Sequence, residues 1–222
     1  MKNSNLLYLA IAAIITMSVV GCKDGAEVIY GSDTLVSEDR AAESFTEIEI
    51  DGQAEVIIEQ SDEPYLEVIA NDNIIEDILT DYSGNRLTID FKDNTNYNNV
   101  DVTLYVGTAV IESIEKNGIG IVEVLDFFDL DRLDVTQDGV GNVVLVGSAD
   151  RLVYEHDGVG SLEAFDFVAD RVDINTDGVG DSEVNAIDRL RGELNGVGNI
   201  YYIGNPNVSI DDEGVGRVID AN

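Results

Sequence analysis

The sequence predicts an all-β fold: a single-stranded right-handed parallel β-helix with about 20 residues per coil. Three observations carry this expectation. First, an acidic or amide residue followed by Gly-x-Gly occurs six times, at Asn117-Gly118-Ile119-Gly120, Asp138-Gly139-Val140-Gly141, Asp157-Gly158-Val159-Gly160, Asp177-Gly178-Val179-Gly180, Asn195-Gly196-Val197-Gly198 and Glu213-Gly214-Val215-Gly216. Second, the first glycines of these units stand 21, 19, 20, 18 and 18 residues apart. Third, the chain before and between them alternates apolar and polar residues with a period of two, as half-buried strands do.

The N-terminus has a different character. Residues 1–21 read as a secretory signal, with Lys2 ahead of an uncharged, largely apolar run of 15 residues from Leu6 to Val20. That run is short for a membrane span, which needs about 20 residues. It ends in Val19-Val20-Gly21-Cys22, which resembles the lipobox of bacterial lipoproteins, where cleavage leaves the cysteine to carry a lipid. Cys22 is the only cysteine, so the exported domain is expected to be stable without disulfides and to reach its membrane through the lipid. The organisation expected is a signal over 1–21, a lipidated Cys22 with an acidic tether over 22–42, and a β-helix domain over 43–222.

Within the last segment, Phe45–Ile50, Ala54–Ile58, Leu66–Ile69, Leu87–Phe91 and Val100–Val106 alternate and carry β-branched residues. They are expected as strands, and 71–80 as one helical turn. Aligning the repeats on their glycines gives apolar columns: Val122, Val143, Leu162, Ser182, Ile200, Val218, and on the next strand Leu133, Leu152, Val172, Leu190, Val208. A further column holds Val135, Tyr154, Ile174, Gly192 and Ile210. Stacked coils superpose such residues as ladders inside the coil, and the mid-turn residues Ile119, Val140, Val159, Val179, Val197 and Val215 are expected to join them. The twelve glycines are expected to shape one corner, because glycine reaches positive φ without steric cost and a preceding Asp or Asn can bond the backbone. A phosphate-binding role is excluded by the lack of a following helix and of Lys-Ser/Thr.

A second corner carries Asp131-Arg132, Asp150-Arg151, Asp170-Arg171 and Asp188-Arg189, half of the eight arginines. Stacked, these are expected to alternate charge and neutralise one another as a structural ladder. The acids Asp138, Asp157 and Asp177 would stand one coil apart, which makes calcium the one cofactor to weigh, since it takes six to eight oxygen ligands. Hydrogen-bonded turn caps are the simpler reading, because Asn117 and Asn195 interrupt the acidic column and the nine-residue calcium-roll pattern is absent.

With repeats and strands in hand, the chain resembles a bacterial family of exported proteins and lipoproteins, "putative auto-transporter adhesin, head GIN domain". The resemblance runs through Gly31-Ser32, Phe45-Thr46-Glu47-Ile48, Glu55 to Gln60, Asn85 to Ile89, the Gly-x-Gly units and Gly198 to Pro206. It implies a β-helical fold and a cell-envelope location, and it supplies no catalytic residues. Where the family carries Ser-Gly-Ser-Gly, this chain has Asp, Asn or Glu first and Val or Ile third, so its corner is more acidic.

The net charge of −33, from 45 acidic and 12 basic residues, argues against nucleic acid and polyanionic partners. Two function classes remain. One is a non-catalytic, adhesin-like envelope module, lipid-anchored in the outer membrane, whose partner is a polysaccharide or a surface protein. The other is a carbohydrate-active β-helix enzyme, a lyase or hydrolase. Against the enzyme, so many acids make paired carboxylates uninformative. His156, the lone histidine, precedes a corner at a position that varies from coil to coil, and is expected to be a solvated turn residue. Of Tyr201 and Tyr202, adjacent on one strand, one ring is expected to face outward.

Overall fold

The computed structural model describes residues 27–222. The signal segment 1–21 and Cys22 lie outside the described residues. Eighteen strands and one short 3-10 turn make up the fold. The first nine strands are β1 (Glu27–Tyr30), β2 (Leu35–Arg40), β3 (Glu47–Ile50), β4 (Glu55–Gln60), β5 (Tyr65–Asn71), β6 (Ile78–Ser83), β7 (Arg86–Phe91), β8 (Thr95–Asn98) and β9 (Val102–Thr108). The repeats follow as β10 (Ser113–Lys116), β11 (Val122–Leu130), β12 (Leu133–Gln137), β13 (Val143–His156), β14 (Leu162–Thr176), β15 (Ser182–Leu194), β16 (Ile200–Gly204), β17 (Asn207–Asp212) and β18 (Val218–Asp220). The helical turn expected in 71–80 is the 3-10 turn Ile75–Asp77.

From β10 onward every pairing is parallel, in the register that the repeat spacing predicts. Leu133 pairs with Leu152, Val172, Leu190 and Val208 in succession, and Val122 with Val143, Leu162, Ser182, Ile200 and Val218. Strands β13, β14 and β15 are long enough to carry both columns. The sheet therefore curls back on itself at the Asp-Arg corner and encloses one apolar core.

The whole sheet is mixed, however, which corrects the expectation of parallel strands throughout. Antiparallel pairs join β2 to β5, β5 to β9 and β6 to β7. The reason for the last is local. Only Gly84 and Asn85 separate β6 from β7, and Gly84 has φ +67; a two-residue hairpin with glycine first reverses the chain, whereas a parallel crossover needs about a dozen residues.

The expected tether is also corrected. Within 22–42, β1 pairs with β8 and β2 lies along β5. An edge strand needs few apolar residues, so its sequence looks like polar linker. Arg40 fastens it, donating to the backbone oxygens of Ile75 and Ile78 at 2.8 and 2.7 Å.

At the Gly-x-Gly corner the first glycines from Gly118 to Gly196 are buried, while the residues between the glycines face solvent. Ile119, Val140, Val159, Val179, Val197 and Val215 are thus an exposed column, not the internal ladder expected, although they bridge one another in register. The cause is close stacking. A side chain on Gly139 or Gly158 would strike the backbone oxygen of the glycine one coil earlier, so only a hydrogen fits inside and its neighbour must turn out. Positive φ belongs instead to second glycines such as Gly180.

Inside that corner runs a column of another kind: Lys116, Gln137, His156, Thr176 and Leu194 are all buried. His156 is therefore not the solvated turn residue expected; in-register stacking on Gln137 and Thr176 holds it inside. Lys116 donates from Nζ to the Val140 carbonyl at 2.9 Å, and burial lowers its pKa from 10.5 to about 8. The unfolded chain binds this proton more tightly than the folded one. Stability is thus expected to rise between about pH 8 and 10, as followed by urea midpoints, and Lys116→Met should flatten that slope.

Candidate functional site

A cleft of about 610 Å³ opens where β3 and β4 meet the first coils. Glu47 of β3, Gln60 at the end of β4, the Val110–Ser113 connection and the Phe128–Asp134 corner line it. Its most distinctive wall is the end of β11. The register against β13 slips twice there, between Val124 and Phe127 and between Phe127 and Leu130. Asp126 and Asp129 adopt φ +63 and +61, a left-handed conformation that Asp tolerates better than most residues. The two bulges have opposite consequences for two adjacent rings. Phe127 is fully buried, in register with Gly147, and Phe128 is 54% exposed over the cleft.

The remaining walls are polar. Asp129 is anchored by its N–H, which donates to Ser148 Oγ at 2.9 Å. Glu112 accepts from Thr46 Oγ1 at 3.0 Å. Arg132, the one cation lining the cleft, is engaged by Asp134. Arg86 donates to Glu47, Glu49 and Glu115 across three adjacent strands. Hydrogen bonds from Asn85 and Arg86 hold the Glu47 carboxyl below its ordinary value. The cleft thus offers an aromatic face beside carboxylate acceptors, a hydroxyl on Ser113 and an amide on Gln60.

Of the charge-ladder and corner residues singled out in the sequence, Asp131 and Arg132 reach this cleft, as do Glu47 and Gln60 from the segments that carry the family resemblance. Arg151, Arg171 and Arg189 do stack in register. Their ion pairs are not the self-neutralising ladder expected: Arg132 pairs with Asp134, and Arg151 and Arg191 with Asp173. Arg132 thus meets the carboxylate two positions on, since residues i and i+2 share a face, whereas Arg191 faces Asp173 as its register partner on β14 and Arg151 reaches the same carboxylate diagonally from β13. Burial works against ionisation of Asp173, but hydrogen bonds from Arg191 and Arg151 outweigh it and lower its pKa.

Asp138, Asp157 and Asp177 stand exposed along the glycine corner. Among the described residues, no three carboxylate, imidazole or thiol groups converge as metal ligands would. Tyr154 is internal and donates to Gln137 Oε1 at 3.0 Å, and both Tyr201 and Tyr202 are half-buried. No repeat or motif in the sequence marks Phe128. The available signal was the first repeat, longest at 21 residues, whose extra length is taken up in the bulged segment.

The fold and the cleft together define an all-β protein with a curled, mixed sheet and an open, aromatic-bearing recess. The chain belongs to the family described as "putative auto-transporter adhesin, head GIN domain", which matches residues 44–206. A putative adhesin from Bacteroides fragilis has a similar structure, with a TM-score of 0.67 and 25% identity over 86% of this chain and 98% of that one. A putative lipid binding protein from Parabacteroides distasonis (TM-score 0.54, 19% identity, 87% of this chain and 100% of the other) shares the fold. So does a putative adhesin from Parabacteroides merdae (TM-score 0.52, 18% identity, 88% and 100%). No curated protein matches the chain.

Proposed function

We propose that this protein is a non-catalytic, adhesin-like binding module of the cell envelope that holds a neutral polysaccharide in the cleft beneath Phe128. The observation that carries this reading is the exposed ring set by two left-handed Asp residues beside carboxylates. A flat ring can cover the apolar face of a sugar, and carboxylates accept hydrogen bonds from its hydroxyls. The net charge of −33 disfavours uronate or sulfated chains. Family membership and the adhesin-like relatives support an envelope location. On this reading Cys22 carries the lipid that ties the domain to the outer membrane, and the parallel coils after β10 wind as a right-handed β-helix, the hand that parallel crossovers overwhelmingly adopt.

The test uses residues 27–222 against immobilised neutral and acidic polysaccharides and matrix proteins, scoring retention together with new reducing ends or unsaturated products. Retention on a neutral polysaccharide is expected, without turnover. Phe128→Ala is expected to weaken it about 30-fold, the cost of losing a binding anchor worth about 2 kcal/mol. Product formation would instead identify a carbohydrate-active enzyme, and retention unaffected by Phe128→Ala would place the ligand elsewhere.

A further inference from the structure

The buried column behind the glycine corner changes character midway. In the earlier coils its long polar side chains find partners: Lys116 Nζ reaches the Val140 oxygen at 2.9 Å, and Gln137 Nε2 reaches the Gly141 oxygen at 2.7 Å. At the next two positions, and at Ser182 just across the turn from the second, this stops. His156 Nε2, Thr176 Oγ1 and Ser182 Oγ are buried without a hydrogen-bond partner among the described residues, in side chains only 2%, 4% and 1% exposed.

These three atoms belong to one neighbourhood. His156 and Thr176 are register partners on β13 and β14. Thr176 and Ser182 flank a single turn, Asp177–Asp181, on its inner side. The His156 ring lies against Tyr154, with centroids 5.8 Å apart, and its Nε2 is directed at that same turn, 2.8 Å from where a side chain on Gly178 would begin.

Volume points the same way. The pair flanking the turn is His156 and Leu162 in the coil before, and Leu194 and Ile200 in the coil after, all buried. Between them stand Thr and Ser, both small. Protein interiors are close-packed, so two short side chains between layers of large ones leave room, and that room is lined by hydroxyls and an imidazole nitrogen. A dry pocket would leave each polar group without the hydrogen bonds it makes in water, which is costly. A site that is polar and roomy with two to four partners holds water.

We propose that the Asp177–Asp181 turn encloses an internal water-binding site, in which one or two ordered waters bridge His156 Nε2, Thr176 Oγ1 and Ser182 Oγ. Water suits the donor set because it gives and accepts two hydrogen bonds, serving two rotatable hydroxyls and a ring nitrogen at once. An ion fits poorly, since no carboxylate enters the buried trio. Burial lowers the His156 pKa, with Asp157 and Asp138 opposing that effect. A neutral ring leaves a nitrogen lone pair as acceptor for a water hydrogen, provided the other nitrogen carries the proton.

Oxygen-17 relaxation dispersion on the full-length protein counts waters held for longer than the tumbling time. The wild type is expected to show one or two more than Thr176→Val/Ser182→Ala, which removes the hydroxyls, and more than His156→Leu/Thr176→Leu/Ser182→Ile, which copies the next coil. Each variant is first checked for an unchanged far-ultraviolet spectrum, and the milder double variant serves if the triple one does not fold. Equal counts in the wild type and a folded variant would overturn the site, as would a high-resolution crystal structure with no water density between the three atoms.

Discussion

Gly180→Ala is expected to destabilise the protein by about 3–5 kcal/mol, one of the two largest single-residue effects predicted. Gly180 has φ +151, a conformation that residues with a side chain rarely adopt. A methyl group there would also overlap the backbone carbonyl of Gly160, one coil earlier. Neither problem can be relieved locally, because Gly180 N donates to the Val197 oxygen at 2.9 Å and the turn is held between its neighbours. Thermal unfolding should show a melting temperature lower by about 10 °C. Gly84→Ala is the contrasting case. Its φ of +67 is also left-handed, but no atom lies within 4 Å of the added carbon, so a loss of only about 1 kcal/mol is expected. Equal losses at the two sites would show that backbone conformation, not coil-to-coil contact, governs the glycine corner.

Phe127→Ala is expected to cost about 3–5 kcal/mol in denaturant unfolding, whereas Phe128→Ala should change stability by no more than about 0.5 kcal/mol. Phe127 is fully buried and stacks in register over Gly147, with Phe167 on the far side. A side chain at Gly147 would strike the Phe127 backbone oxygen, so the coils stack closely here and truncation of either buried ring opens a cavity. Phe128 has no such surroundings. Comparable destabilisation by both substitutions would mean that Phe128 is packed rather than presented, and would remove the basis for the binding reading.

The repeat half of the fold was legible because its information is periodic. Six turns at nearly constant spacing specify which residues stack, and the pairs Leu133 with Leu152 and Val122 with Val143 follow directly. The N-terminal half carries no period. Its short strands could be ordered in many ways, and whether β5 runs parallel or antiparallel to β9 depends on contacts between distant residues such as Leu66 and Val106, 40 positions apart in the chain. The Ser83-Gly84-Asn85-Arg86 hairpin was the one local signal of reversal there.

The candidate site was less legible still. Alternation cannot say which of two consecutive phenylalanines is inside once a strand bulges, because each inserted residue exchanges the two faces. The same ambiguity hid the orientation of the corner valines and of His156. By itself the sequence determined the all-β class, the coil-by-coil stacking and the strongly acidic surface, since composition and period are properties of the chain alone. Only the tertiary structure decided the mixed sheet, the outward valine column, the carboxylates that the arginines meet and the cleft under Phe128. Each of these depends on what a side chain faces across the fold, and that is fixed by close contacts between segments distant in the chain.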